Sequence, residues 1–214
     1  MFGLHYKLLY IWFNLNQFIM TEKEFTPEQQ LKRIEEMVFE ARLRFEENGF
    51  AFILWGITIA LASFTQAYLI HAKQYSVSWY PYLAMPLVGL FTYVYFAKKA
   101  KQEKKQKNPI DFIYSRVWIF ISLNIMLLAF IFNGVLQENL VALILILIGI
   151  ATLISASIIR SKIVLFSGLT LHLGGYWAFF LPWEQQPILM GGLGLLPVLL
   201  PGIVLSIQHS KQHV

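Results

Sequence analysis

The stretch LVALILILIGIATLISASII, residues 140–159, decides the fold class, because it is long, apolar and without a single charged residue. A bilayer hydrocarbon core is about 30 Å thick, and a helix needs about 20 apolar residues to cross it. The apolar residues run continuously and do not alternate with polar ones, as they would in a membrane β-strand. Because backbone groups in lipid must be bonded within the segment, a transmembrane helix is predicted.

Five further segments have the same character. With 57% hydrophobic and 14% charged residues, the chain is far less charged than soluble domains, which carry about 25%. The sequence therefore predicts an all-α polytopic membrane bundle of six transmembrane helices over residues 49–209. A cytoplasmic amphipathic helix is predicted over residues 20–48, and a cytoplasmic tail over 210–214. The other five predicted spans are residues 50–70, 79–97, 113–132, 163–181 and 188–207.

The basic residues predict the orientation of these spans. Sixteen of the 17 Lys and Arg residues fall in segments on one side, and the loops on the other side contain only Lys73. The positive-inside rule then places both termini in the cytoplasm, and we expect a bacterial cytoplasmic (inner) membrane. The net charge of +5 predicts contact with anionic membrane lipids, since the basic residues lie beside the spans, and does not require nucleic acid.

Residues 26–48 are typical of a soluble helix. Thr26 can cap its start, Pro27 suits the first helical position, and Gln29 can complete a capping box. Apolar residues then recur at alternating spacings of three and four, which defines a narrow stripe over residues 31–45. Two arrangements remain open for this stripe: packing on the protein's own spans, or a homodimer through a short coiled coil. The stripe consists of Leu31, Ile34, Val38, Ala41 and Phe45.

Residues 1–19 are aromatic and apolar, and three interpretations remain open. They have no small-residue cleavage site of a signal peptide. They are too interrupted by Asn14, Asn16 and Gln17 to span a bilayer, although an interfacial helix is compatible. In the third interpretation Met20 is the natural start, and residues 1–19 are a doubtful extension.

The candidate functional residues are the polar groups within the spans, because polar side chains in lipid are often functional. His172 lies near the centre of the fifth predicted span, and Tyr176 follows one turn later. Asn124 and Ser155, from neighbouring spans, complete a candidate polar pocket. It is either a proton-sensing or ligand-binding site, since His titrates near neutral pH, or an interhelical hydrogen bond.

Small residues predict where the spans touch. Gly149 in one span, and Gly168 and Gly175 in the next, would allow close backbone approach. Pro197 and Pro201 remove backbone donors one turn apart and should kink the last predicted span. The aromatic residues near the outer ends, including Trp79, Tyr80, Tyr82, Trp177 and Trp183, are typical of an interfacial belt.

The sequence contains no catalytic signature. It has no cysteine, which excludes thiolate chemistry, and a single intramembrane His provides too few ligands for a metal site. We therefore predict no cofactor, no metal and no enzymatic activity. The function expected is that of a binding, sensing or scaffold component. The alternative is a small-molecule or lipid transporter with a pocket near His172.

Several short motifs resemble a family of small, uncharacterised bacterial integral membrane proteins. The residues concerned are Glu47-Asn48-Gly49-Phe50 followed by Leu54-Trp55-Gly56, after a charged helix that contains Ile34-Glu35-Glu36-Met37. Met85-Pro86 and Leu200-Pro201-Gly202 also look similar to that family. The resemblance covers most of residues 20–206. It implies six spans in the cytoplasmic membrane, a start near Met20 and no established activity.

Overall fold

A computed structural model describes residues 26–47, 49–102 and 109–212 of the chain. Within these residues the protein is all-helical and contains no strand. Four helical stretches are long and apolar enough to cross a membrane: Gly49–His71, Phe112–Phe130, Leu140–Ile158 and Gln186–Gln208. The predicted extension, 1–19, lies outside the described residues.

The helices follow one another with short connections. They are α1 (Pro27–Glu47), α2 (Gly49–His71), α3 (Ala84–Gln102), α4 (Pro109–Phe130), α5 (Asn133–Leu136), α6 (Leu140–Ile159), α7 (Lys162–Ala178), α8 (Gln186–Gly194) and α9 (Leu200–Gln212). Short 3₁₀ turns lie at Tyr75–Val77, Tyr80–Leu83 and Gln137–Asn139, and a π-helical segment, Leu195–Leu199, joins α8 to α9.

The start of α1 contains the predicted capping box. The Gln29 amide donates to the Thr26 hydroxyl at 3.3 Å, and the Gln29 side-chain oxygen accepts from the Thr26 amide at 3.1 Å. Hydrogen bonds from its own amide and from Thr26 lower the pKa of Glu28 in the same turn. These contacts satisfy donors that a helix start otherwise leaves unpaired. The predicted packing of the 31–45 stripe remains a prediction.

Two of the six predicted spans are not among the four stretches that meet the length and composition criteria. The first is 79–97, where the chain forms 3₁₀ turns before α3 begins at Ala84. The second is 163–181, where α7 has 17 residues and a length of about 26 Å at 1.5 Å per residue. The helices do not coincide with the apolar segments: α3 begins five residues later and ends in a stretch that contains Lys98, Lys99 and Lys101, whereas α7 ends at Ala178, three residues before its segment does.

The helix α2 and the stretch α8–α9 run antiparallel in close backbone contact. A Cβ atom added to Gly56 would stand 2.7 Å from the backbone nitrogen of Leu199. One added to Gly202 would stand 2.8 Å from a backbone nitrogen of α2, and one added to Gly194 would stand 3.0 Å from another. These glycines therefore hold two helical backbones at a separation that no other residue permits.

The π-helical segment keeps two of these glycines on the same side. Gly194 and Gly202 both face α2, although they are eight residues apart. In a regular α-helix eight residues would leave them about 80° apart around the axis, at about 100° per residue. A π-bulge accommodates one additional residue in a turn and removes most of this difference. This segment, Leu195–Leu199, contains Pro197, and the kink predicted from Pro197 and Pro201 remains a prediction.

The helices α6 and α7 form a tight antiparallel hairpin. Arg160 ends α6 in the left-handed region at φ 52°, and the Ser161 hydroxyl accepts from the Val164 amide to begin α7. A Cβ atom added to Gly168 or Gly175 would stand 2.9 Å or 2.8 Å from a backbone nitrogen of α6. The predicted role of these small residues in helix contact is confirmed.

The remaining long helices pack at the edge of this core. The helix α3 runs antiparallel to α2, with Gly89 beside the Trp55 ring and the rings of Phe50 and Tyr95 5.4 Å apart. The helix α4 contacts α6 through Trp118. The buried core consists of apolar residues from α2, α6, α7, α8 and the π-helical segment, including Ile59, Leu145, Leu171, Met190 and Val198.

Candidate functional site

The position of His172 is set by the close approach of α6 and α7. A Cβ atom added to Gly149 would stand 2.7 Å from the backbone nitrogen of His172 and 2.9 Å from its Cβ. Glycine at position 149 therefore allows the backbone at position 172 to lie directly against α6. The His172 imidazole lies at the edge of this α6–α7 contact, where it is half-buried.

The imidazole has an unusual polar environment. Its Nδ1 atom is buried and has no hydrogen-bond partner within the described part of the chain. The His172 ring meets the Tyr176 ring edge to face, with centroids 4.9 Å apart and planes at 82°. Because they are one helical turn apart, this contact is local to α7. Tyr176 itself is half exposed, so the pair lies at the surface of the hairpin.

Ser155 belongs to a different polar cluster. Its side chain is fully buried, donates to the Ala151 carbonyl at 2.7 Å and accepts from Trp118 Nε1 at 3.1 Å. The Tyr114 ring lies beside this pair, with its centroid 6.4 Å from that of the Trp118 ring. Ser155 follows Gly149 by six residues and so lies about 9 Å further along α6 than the level of His172. The structure therefore does not bring Ser155 to the imidazole.

Asn124 lies at the depth of His172 but bonds to its own helix. The helices α4 and α6 are antiparallel, with Trp118 opposite Ser155. Asn124 is six residues after Trp118, and Gly149 is six residues before Ser155, so Asn124 and Gly149 lie at the same level. The Asn124 side chain is exposed, and its Nδ2 donates to the Phe120 carbonyl at 2.8 Å. Of the four candidate residues, only His172 and Tyr176 are in contact.

A third polar cluster was not predicted. The Tyr82 hydroxyl donates to Ser63 Oγ at 3.1 Å and lies 3.8 Å from Met190 Sδ. The Gln66 Oε1 atom, one turn from Ser63, is buried without a partner in the described residues. Tyr82 was assigned to the interfacial belt, but it is half-buried and its hydroxyl is directed inward. The spacing of Ser63 and Gln66 was the available signal, since residues three apart share a helix face.

The turn between α7 and α8 depends on a buried glutamine. Gln186 is 3% exposed, and its Nε2 donates to the carbonyls of Ala178 and Leu181, each at 3.2 Å. Ala178 is the last residue of α7, and Leu181 lies in the turn that follows it. The contact is structural and fixes where α8 begins.

The described residues contain no group of three His, Asp or Glu side chains that could hold a metal ion. The four apolar stretches that could cross a membrane are consistent with a membrane protein. No protein-family model matches the chain, and no curated protein or solved structure matches it. The family resemblance of the short motifs therefore stays a prediction.

Proposed function

We propose that this chain is an integral membrane protein with six spans, of which α3 and α7 are two. Packing of α3 and α7 beside longer helices supports this number. Gly168 and Gly175 place α7 along α6, and Tyr82 and Tyr95 place the segment before and within α3 along α2. Because α2 and α6 are long enough to cross, helices that accompany them over this length cross as well.

The charge distribution supports an orientation with both termini in the cytoplasm. Arg160 and Lys162 flank the α6–α7 turn, and Lys98 and Lys99 lie near the end of α3. These residues fall at one end of the six-span arrangement, and the positive-inside rule assigns that end to the cytoplasm. A bacterial inner membrane, with lipids as the surrounding partners, is the location that fits this pattern.

Within that membrane the protein acts as a binding, sensing or scaffold component and not as an enzyme. The observation that carries this proposal is the packing of the core, in which glycines bring helical backbones together in both pairs, α2 with α8–α9 and α6 with α7. Such contacts leave little space between paired helices. The buried Ser155 and Gln186 side chains have hydrogen-bond partners within the protein, which favours a fixed arrangement of these helices.

Accessibility of position 172 tests this proposal. The chain has no cysteine, so a His172→Cys variant carries a single thiol. In sealed vesicles, we expect a charged thiol reagent added to either side to leave this residue unmodified. Gln74→Cys, in the exposed turn after α2, is the matched positive control. Modification of the His172→Cys thiol at a rate near that of the control would contradict the scaffold proposal.

The second candidate is a transporter with a pocket beside His172. One observation favours it: the buried Nδ1 atom has no partner in the described residues, and an unpaired buried polar atom is costly unless a ligand or water bonds to it. A transporter would expose this position to each side in turn. Reaction of the His172→Cys thiol from both sides, with protection from one side by a transported molecule, would favour this candidate.

A further inference from the structure

The helix α4 is the least covered of the candidate spans. No residue of its Phe112–Phe130 stretch is buried by the rest of the described chain, whereas each of the other three stretches contains buried residues. One side of α4 contacts α6 through Trp118. The side next to this contact carries large apolar residues, of which Ile113 and Phe120 are more than half exposed.

These residues follow the spacing of a helix-pairing seam. Ile113, Phe120, Asn124 and Leu127, which are exposed, and Val117, which is partly covered, are separated by four, three, four and three residues in chain order. This is the alternation of a heptad, in which the a and d positions face a second helix. Ile113 is 54% exposed and Phe120 is 58% exposed, so the seam is available. Asn124 occupies a central a position.

The Asn124 amide has unused hydrogen-bonding capacity at this position. Its Nδ2 donates once, to the Phe120 carbonyl, and its oxygen has no partner among the described residues. In hydrocarbon no water is present to bond the remaining donor and acceptor, so this arrangement is costly.

A second copy of the same chain supplies the missing partner. Two copies in one membrane have the same orientation, and a twofold axis along the membrane normal puts identical residues at identical depth. A carboxamide is self-complementary, because it carries both an N–H donor and a carbonyl acceptor. We propose that the protein forms a homodimer through the α4 seam, in which the two Asn124 side chains bond to each other. The inference rests on the proposed membrane location of α4.

Disulfide cross-linking in isolated membranes tests the seam. In the cysteine-free chain, we expect Phe120→Cys and Leu127→Cys each to form covalent dimers on mild oxidation. Ile119→Cys and Met126→Cys are matched controls on another face, and these two positions are 50% and 57% exposed. Cross-linking at positions 119 and 126, or equal cross-linking at all four positions, would overturn the proposed seam.

Substitution of the asparagine tests its role. In lipid bilayers at varied protein-to-lipid ratio, we expect Asn124→Leu to raise the dimer dissociation constant about 3- to 30-fold, the effect of one interhelical hydrogen bond. Asn124→Gln retains the carboxamide and should keep most of the dimer. A dissociation constant unchanged in Asn124→Leu, or a monomeric native chain at every ratio, would overturn the proposal.

Two further outcomes separate the alternatives. Cross-linking at positions 120 and 127 only after deletion of residues 1–19 would identify that apolar segment as the occupant of the seam, against a second copy. Recovery of the protein in the soluble fraction would contradict the membrane location itself. Absence of cross-links in protein that is recovered in the membrane would contradict only the interface.

Discussion

Gly56 of α2 and Leu199 of the π-helical segment lie so close that a Cβ atom on Gly56 would stand 2.7 Å from the Leu199 backbone nitrogen. That contact is with backbone, which cannot move aside as the end of a side chain can. The two helices would have to separate to accept a methyl group. The observed packing therefore requires glycine at position 56.

We therefore expect Gly56→Ala to lower the free energy of unfolding by about 1–3 kcal/mol, the usual cost of forcing a carbon atom into a packed contact. Unfolding by a denaturing detergent in mixed micelles would measure this change. Gly192→Ala is the matched control, because nothing lies within 4 Å of the added carbon. It should be neutral or stabilising by up to about 1 kcal/mol, since alanine favours a helix over glycine. Equal effects of the two substitutions would contradict the close contact.

The π-helical segment predicts an asymmetric response to deletion. Removing Leu196, which is 65% exposed, should convert the segment to regular α-helix while Gly194 and Gly202 keep facing α2. The deletion is expected to preserve folding, because the bulge contains one residue more than the register needs. Deleting Leu173, 64% exposed in regular helix α7, should disrupt folding, because it rotates all following residues by about 100°.

Yield of monodisperse protein and unfolding in mixed micelles would compare the two deletions. A Leu196 deletion as damaging as the Leu173 deletion would show that the π-helical segment does not set the register between Gly194 and Gly202.

The buried Ser155 hydroxyl connects α6 to α4 through Trp118. Ser155→Ala should lower the free energy of unfolding by about 0.6–2 kcal/mol, because Trp118 Nε1 loses its acceptor in a site without water. Ser157→Ala is the control, since that exposed hydroxyl bonds only to the Leu153 carbonyl of its own helix. A double-mutant cycle with Trp118→Phe should show coupling between positions 118 and 155. Additive losses would contradict the bond.

The unpaired Nδ1 atom of His172 predicts that the imidazole does not stabilise the fold. His172→Phe retains a ring against Tyr176 and removes a buried polar atom without a partner. We expect the free energy of unfolding to stay the same or rise by about 1–3 kcal/mol, the cost of leaving such an atom unsatisfied. A fall of 1 kcal/mol or more would indicate that Nδ1 bonds to water or a ligand in the membrane.

The orientation predicts which loops are accessible from outside the cell. A membrane-impermeant thiol reagent applied to intact cells should label Gln74→Cys and Gln137→Cys, and should leave Gln106→Cys and Ser161→Cys unlabelled until the membrane is opened. Labelling of Gln106→Cys in intact cells would contradict the proposed orientation. Labelling of all four positions in intact cells would indicate that the membrane was not sealed.

Local sequence was sufficient for the helical class, the four stretches that are long and apolar enough to cross a membrane, the capping box at Thr26 and the contact roles of Gly149, Gly168 and Gly175. Each of these depends on residues within one or two turns, or on the length of an apolar run. The limits of α3 and α7 were less predictable, because turns lie inside uniformly apolar segments: a 3₁₀ turn precedes α3, which begins at Ala84, and α7 ends at Ala178 before its segment does.

The grouping of the polar residues required the tertiary structure. His172, Ser155 and Asn124 are all polar residues in apolar helices, so the sequence alone does not show whether they form one polar cluster or belong to separate ones. Their positions depend on the register between neighbouring helices, which the close glycine contacts set. A change of one residue in this register would move every side chain by about 1.5 Å along the helix axis. That register puts Ser155 with Trp118, leaves Asn124 on the uncovered side of α4 and brings only Tyr176 to His172.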